Sequence, residues 1–276
     1  MDIRQSSAYA QFIRNLGWQV EKIGRWNVFI KKFPLLGSFI KIQRIVPPIP
    51  FGEIETIAKK HRAFQIIIEP AVSNQPLVIS CQPGYRPLKS PFIPTKTLIL
   101  DLCRSEKEIF NSFTKNKRRD IRIAERNKLV IKEGTPEEFI FLKRKSLLEK
   151  FILPIGDRKD ILALNKAFSL DICSLIAYSS NPVAGILLLF HQKTAYYWQA
   201  AATEKGKKLM APTLLLWEAI KLAKKKGCTK FDFEGVYDER FPQNKSWLGF
   251  THFKQGFGGK EAFYPEPSVK NRLPFL

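Results

Sequence analysis

Near the end of the sequence, Lys254 stands in a frame of phenylalanines and glycines. Phe253, Phe257 and Phe263 supply an apolar anchor, while Gly256, Gly258 and Gly259 let the backbone turn or approach a ligand closely. A single ammonium in such a frame suits an anion or a developing oxyanion, because a half-buried lysine is costly without a compensating negative charge. The same residue types also fit a surface lysine beside a tight turn. Upstream, Phe231 and Phe233 alternate with Asp232 and Glu234. That is the period of two of a strand with one buried face, ended by Gly235. His252 adjoins the Phe253 and Lys254 pair and could assist proton transfer, although a histidine so placed is more often structural.

Other chemistries find little support. The three histidines, His61, His191 and His252, lie far apart and match no ligand motif, so no metal site is expected. There is no Gly-x-Ser-x-Gly elbow, and no cysteine has a base at a recognisable spacing. Cys81, Cys103, Cys173 and Cys228 are scattered, without the spacing of a zinc site or the density of a disulfide scaffold, which fits a reduced, cytoplasmic compartment. A second cluster is cationic. Lys115, Lys117, Arg118, Arg119, Arg122, Arg126 and Lys128 crowd a helix that starts at the capping box of Ser105 and Glu108 and has Ile109, Phe110, Phe113 and Ile121 on its apolar side. Such a helix is either a solvated connector or a track for a nucleic-acid backbone or pyrophosphate.

The elements around these residues follow from pattern. The 276 residues, 45% of them hydrophobic, can bury one large core or two moderate ones, and the length favours two domains. Forty-six Lys and Arg against 25 Asp and Glu give a formal charge of +21, which attracts nucleic acid, anionic lipid headgroups or phosphorylated substrates alike. No apolar run approaches the length of a membrane span, and the first residues do not begin a signal peptide, so any membrane contact is expected to be peripheral. A first helix at 9–16, a meander of strands at 18–23, 26–33 and 38–45, a helix at 53–62 and a strand at 64–68 predict a mixed α/β unit. Residues 71–96 are proline-rich and irregular, and a strand follows at 97–102. Beyond the basic helix come a strand at 129–132, a helix capped by Thr135 and Glu138, a second helix at 158–171, and strands at 172–178, 183–190 and 195–201. A basic turn at 205–208, a helix at 212–226 and the strand beginning at 230 complete the order. Three antiparallel strands, a turn, a long helix and one more strand is the order of the GNAT acyltransferase fold, and the first half reads as a reduced copy of it.

The run 231–236, Phe-Asp-Phe-Glu-Gly-Val, followed by 249–259, Gly-Phe-Thr-His-Phe-Lys-Gln-Gly-Phe-Gly-Gly, resembles the C-terminal motif of the FemABX aminoacyltransferases, which build peptidoglycan interpeptide bridges from aminoacyl-tRNA. Pro34-Leu35-Leu36-Gly37-Ser38, Ile42-Gln43-Arg44, Ile68-Glu69-Pro70, the 97–102 strand and the basic run 117–122 recur in the same order in that family. The resemblance covers nearly the whole chain. It implies an α/β (α+β) fold of two tandem GNAT-like domains, here divided as 1–120, the reduced one, and 121–276. No charged heptad segment is present to form the helical arm of some relatives.

In chemical terms the resemblance implies transfer from aminoacyl-tRNA to the amine of a peptidoglycan precursor, lipid-linked or uridine-linked, in the cytoplasm or at the inner face of the membrane, with no metal or organic cofactor. Phe253 would stack on the terminal adenosine and Lys254 would face the reacting ester, with Gly256 and Gly258 beside the substrate. Lys31, Arg44, Tyr196 and Tyr197 match positions that line the acceptor cleft between the two domains. As plain structure, the tyrosines would be core packing and the cations solvated. Lys117, Arg118, Arg119 and Arg122 would meet tRNA phosphates. Relatives place an arginine and then a tyrosine after the first helix of the second domain, where 149–154 offers only Lys150, with Arg158 further on. Two rivals stand beside this reading. One is a CoA-dependent N-acyltransferase on the same fold, disfavoured because Pro212 removes an amide donor from the pyrophosphate turn. The other is a basic nucleic-acid-binding protein without catalysis.

Overall fold

The computed structural model describes residues 1–71, 82–153 and 156–272; Cys81, Pro154 and part of the irregular stretch 71–96 lie outside them. The chain forms two compact units, Met1–Lys96 with Asp238–Asn244 and Phe263–Leu276, and Thr97–Tyr237 with Lys245–Ala262. The boundary expected at 120/121 falls inside a helix of the second unit.

In the first unit, the Ser6 hydroxyl accepts from the Tyr9 amide and starts α1 (Ser7–Asn15). Strands β1 (Gln19–Ile23), β2 (Trp26–Phe33) and β3 (Gly37–Ile45) form the expected antiparallel meander. Helix α2 (Phe51–Lys60) then carries the chain across to β4 (Ala63–Pro70), which lies parallel to β3. The short strand β5 (Arg86–Pro87) and the late strand β13 (Ser268–Asn271) complete a sheet of order β1-β2-β3-β4-β13-β5. Alternate isoleucines, Ile30, Ile40, Ile42, Ile66 and Ile68, are fully buried and form its core with Ile54 and Ala58 of α2.

The second unit is built on β6 (Lys96–Asp101), β7 (Val130–Gly134), β8 (Ile172–Ser179), β9 (Asn181–His191), β10 (Thr194–Ala202), β11 (Lys230–Asp232) and β12 (Lys260–Phe263), in the order β12-β6-β11-β10-β9-β8-β7. Helices α3 (Glu106–Ser112), α4 (Lys115–Arg126), α5 (Pro136–Leu148), α6 (Asp157–Phe168), α7 (Glu204–Lys208), α8 (Ala211–Lys225) and α9 (Leu248–Gln255) surround it. Alternation along β9 sorts them. Ala184, Ile186, Leu188 and Phe190 join the core made with α3, α4 and α8. Gly185 points to the other face, where an added Cβ would meet Leu142 and Phe139 of α5 at 2.8 and 3.0 Å. Among the described residues, no helix is long and apolar enough to cross a membrane.

Three local expectations need correction. The basic helix is two helices, because Phe113 is extended and the Thr114 hydroxyl restarts the chain by accepting from the Lys117 amide. Arg118 donates to the carbonyls of Asn111 and Phe113, both at 2.7 Å, and so closes the open end of α3. The basic turn at 205–208 is helical, as α7. The strand at 230 pairs with β10 no further than Asp232, and it is buried on both faces: Asp232 is only 4% exposed, its carboxylate accepting from the Thr97 hydroxyl at 2.5 Å. Phe253 and Lys254 lie on α9.

Candidate active site

The site begins where two strands part. Strand β11 runs parallel to β10 only over Thr194 to Tyr196, while β10 continues to Ala202 with a bulge at 197–199. Beyond the divergence from β10 the Phe233 amide still donates to the Leu98 carbonyl of β6 at 3.0 Å, and the carbonyls of Glu234 and Gly235 are met by the Lys254 ammonium, which donates to them at 3.0 and 2.7 Å. Helix α9 is placed for this by the Thr251 hydroxyl, which accepts from the Tyr237 amide at 2.7 Å. It ends at Gly256, followed by Gly258 at φ +76°, a conformation that suits glycine.

Lys254 is therefore not a surface lysine; it is 8% exposed. Burial pulls its pKa down to about 8, against the opposing pull of Glu234 and Asp232. Its ammonium lies 5.3 Å from the Tyr197 ring centre and 4.9 Å from that of Phe250. Tyr197 is buried, which raises its phenol pKa.

Alongside the separated strands is a cavity of about 420 Å³. Its floor is Tyr197 and Ala200–Ala202 of β10 with Ala184–Ile186 of β9; its walls are Lys117 and Asp120 of α4, Ser146 and Lys150 at the end of α5, Lys207 of α7 and Met210 after it, Pro212, Thr213 and Leu215 of α8, and Phe253 of α9. The Lys117 ammonium sits 4.1 Å from the centre of the Phe253 ring and 5.5 Å from that of Phe257. Its stem runs over Gly256, where a Cβ would meet Lys117 carbons at 2.7 Å. Burial lowers the pKa of Lys117, with Asp120 pulling the other way. The arrangement offers an aromatic face, three ammonium groups for anionic oxygen, those of Lys117, Lys150 and Lys207, and one carboxylate able to accept a proton.

Of the residues singled out from sequence, Lys117, Lys150, Tyr197 and Phe253 line this cavity. Lys254 stands behind Tyr197, and Gly256 lies under the Lys117 stem. Gly258 packs near Ser112 instead. Tyr196 is buried outside the core cluster that contains Tyr197, as neighbours on a strand must be. Arg118, Arg119 and Arg122 line a separate cationic groove with Lys115 and Asn116. In the first unit, Lys31 donates to the Gly17 carbonyl at 3.3 Å. Arg44, at φ +58°, lies 3.2 Å from the Tyr264 ring centre and donates to the carbonyls of Pro94 and Pro70. Its guanidinium is thus engaged within its own unit. His252 is exposed, and among the described residues no group of His, Cys, Asp and Glu could hold a metal ion. Sequence reasoning missed Asp120, concealed as the lone acid in a basic run, and saw Lys207 only as part of the basic turn at 205–208.

The comparisons bear on this same segment. Residues 176–262, which contain β9, β10, α8 and the Phe253 and Lys254 pair, match the FemAB family model. No curated protein matches the sequence. Among solved structures, FemX has a TM-score of 0.79 at 16% identity over 98% of this chain and 92% of that one. The C-terminal domain of a protein assigned as a lysylphosphatidylglycerol synthetase, from Agrobacterium fabrum, gives 0.64 at 13% identity over 98% and 89%. A tandem GNAT protein from the clavulanic acid biosynthesis pathway gives 0.54 at 9% identity over 89% and 78%. The mixed α/β, tandem GNAT-like fold read from the sequence is thereby confirmed. So is the resemblance to the FemABX family: the FemAB pattern spans 176–262, on a fold shared with FemX.

Proposed function

We propose that this chain is an aminoacyltransferase that moves an amino acid from aminoacyl-tRNA to the peptide amine of a peptidoglycan precursor, in the cytoplasm and without a metal or organic cofactor. The observation that carries the reading is the cavity beside the parted strands, where the Lys117 ammonium caps Phe253 and where β9, β10, α8 and Phe253 come from the segment that matches the FemAB family. An aminoacyl ester is already activated, so the protein has mainly to align the acceptor amine and stabilise charge. The amine attacks the ester carbonyl and an oxyanion forms. The carbon–oxygen bond to the terminal ribose then breaks, the ribose oxygen gaining a proton and the amine losing one.

In this reading Phe253 stacks on the terminal adenine and Lys117 and Lys150 meet the phosphates or the developing oxyanion. Asp120, a carboxylate on the cavity wall, takes the proton that the amine loses. Lys254 acts one layer back: it pins the Glu234 and Gly235 carbonyls that hold the strands apart, and it places a positive charge behind Tyr197. The CoA-dependent rival is weakened by the start of α8, where Pro212 has no N–H and the Thr213 amide already donates to the Met210 carbonyl at 3.1 Å. Calorimetry and transfer assays together test the reading. We expect no saturable binding of acetyl-CoA, and we expect Lys254→Ala to lose transfer while still binding tRNA. Saturable micromolar affinity for acetyl-CoA, or transfer unaffected in Lys254→Ala, would overturn it.

A further inference from the structure

The connection between α5 and α6 displays apolar side chains where a folded protein ordinarily hides them. Phe151 is 97% exposed, Leu153 74% and Ile152 51%. Phe151 also occupies the left-handed position just past α5, at φ +59°, with the Ile152 amide donating back to the Leu147 carbonyl at 3.0 Å. Glycine is the usual occupant of such a helix end. A bulky aromatic there carries backbone strain and exposure together, a combination that points to a role outside the fold.

Charge surrounds this tip. Over 143–160 the sequence has six Lys and Arg against three acids, Glu149, Asp157 and Asp160. Arg144, Lys145, Lys150, Arg158 and Lys159 are exposed, whereas Lys143 is paired with Asp157 at 2.8 Å, and Glu149 accepts from the Glu204 amide. Arg144, Arg158 and Lys159 line an open cleft of about 480 Å³ with Gly156 and Leu162. Gly156 is three residues from Leu153, so cleft and tip are within about 11 Å along the chain. An apolar wedge beside a cationic cleft matches an anionic bilayer, acyl chains against the wedge and phosphates in the cleft. An RNA backbone would use the cations but leave the three apolar side chains in water.

We propose that Phe151, Ile152 and Leu153 insert into the surface of an anionic phospholipid bilayer while Arg144, Arg158 and Lys159 bind its phosphate headgroups. The residue just before this tip, Lys150, lines the candidate active cavity. The membrane surface thus lies at the rim of that cavity, which favours an acceptor carried on a lipid. The proposal stands apart from the transferase reading, because vesicle binding needs no substrate.

Flotation with vesicles of phosphatidylcholine, with and without phosphatidylglycerol, provides the test. The full chain should float with the anionic vesicles and stay behind with the neutral ones. Phe151→Ser/Leu153→Ser should weaken partitioning about tenfold or more, with an unchanged thermal melt because both side chains are exposed. Arg158→Glu/Lys159→Glu should weaken it as well. In Phe151→Trp, the added indole emission should shift to the blue on vesicle binding. Equal flotation of the apolar double variant, an unshifted emission from Phe151→Trp, or a dimer that dissociates in the double variant would each overturn the proposal. Binding to an RNA duplex in place of vesicles would do the same.

Discussion

At the scale of the residue, Lys254 couples the site to pH. Its folded pKa of about 8 lies below the roughly 10.4 of an unfolded lysine. Between those values the unfolded chain binds more protons than the folded one, so stability rises with pH across that window. Below about pH 8 the cost of burying the charge is carried in full. Lys254→Met should remove this rise, worth up to about 3 kcal/mol, so that denaturant melts at pH 8 and pH 10 show the wild type gaining on the variant. An equal pH response in both proteins would mean that the ammonium is solvated. The sequence made Lys254 and Phe253 legible because a cation framed by phenylalanines and glycines is an unusual local composition. It did not show which cation faces the cavity. Lys117 reaches Phe253 only because Gly256, 139 positions later, leaves room for its stem, and no local pattern encodes that.

At the scale of the element, the cavity lies against the part of β10 that runs on past Tyr196 after β11 has diverged, where the carbonyls of Glu234 and Gly235 find a side-chain donor in Lys254. The other wall depends on α7 lying close against β9. Gly206 makes that approach, since a Cβ on it would meet the Val183 carbonyl oxygen at 2.1 Å. Gly206→Ala should therefore destabilise the protein by about 1–3 kcal/mol, seen as a lower denaturant midpoint with an unchanged slope, and should lower transfer by displacing Lys207 and Met210. A variant as stable as the wild type would show that α7 can move without cost. Most elements were readable from alternation and caps: the meander, α5 behind Thr135 and Glu138, and the three strands β8, β9 and β10. The errors have a common physical cause. The break at Thr114, the helical turn at α7 and the early end of β11 depend on contacts from other elements, such as Arg118 closing α3 and Lys254 replacing the ladder.

At the scale of the whole molecule, the two sheets were expected, but not the way the chain returns to the first unit. Strand β13 pairs with β4 through Ser268 and Ile68, two hundred positions apart, and Asp238–Asn244 also rejoins that unit. Local periodicity carries no trace of such pairings. The charge of +21 was plain from composition, yet only placement separates its tasks. Lys117 and Lys150 line the candidate cavity, Arg118, Arg119 and Arg122 a second groove, and Arg144, Arg158 and Lys159 the cleft beside the apolar tip. The central claim is aminoacyl transfer, and mass spectrometry of a muramyl-pentapeptide precursor incubated with the protein and charged tRNA tests it most directly. The account predicts a gain of one amino-acid residue on the peptide amine, dependent on the charged tRNA and lost in Lys254→Ala. An unchanged precursor mass across a full panel of charged tRNAs, with lipid-linked and soluble acceptors alike, would contradict it.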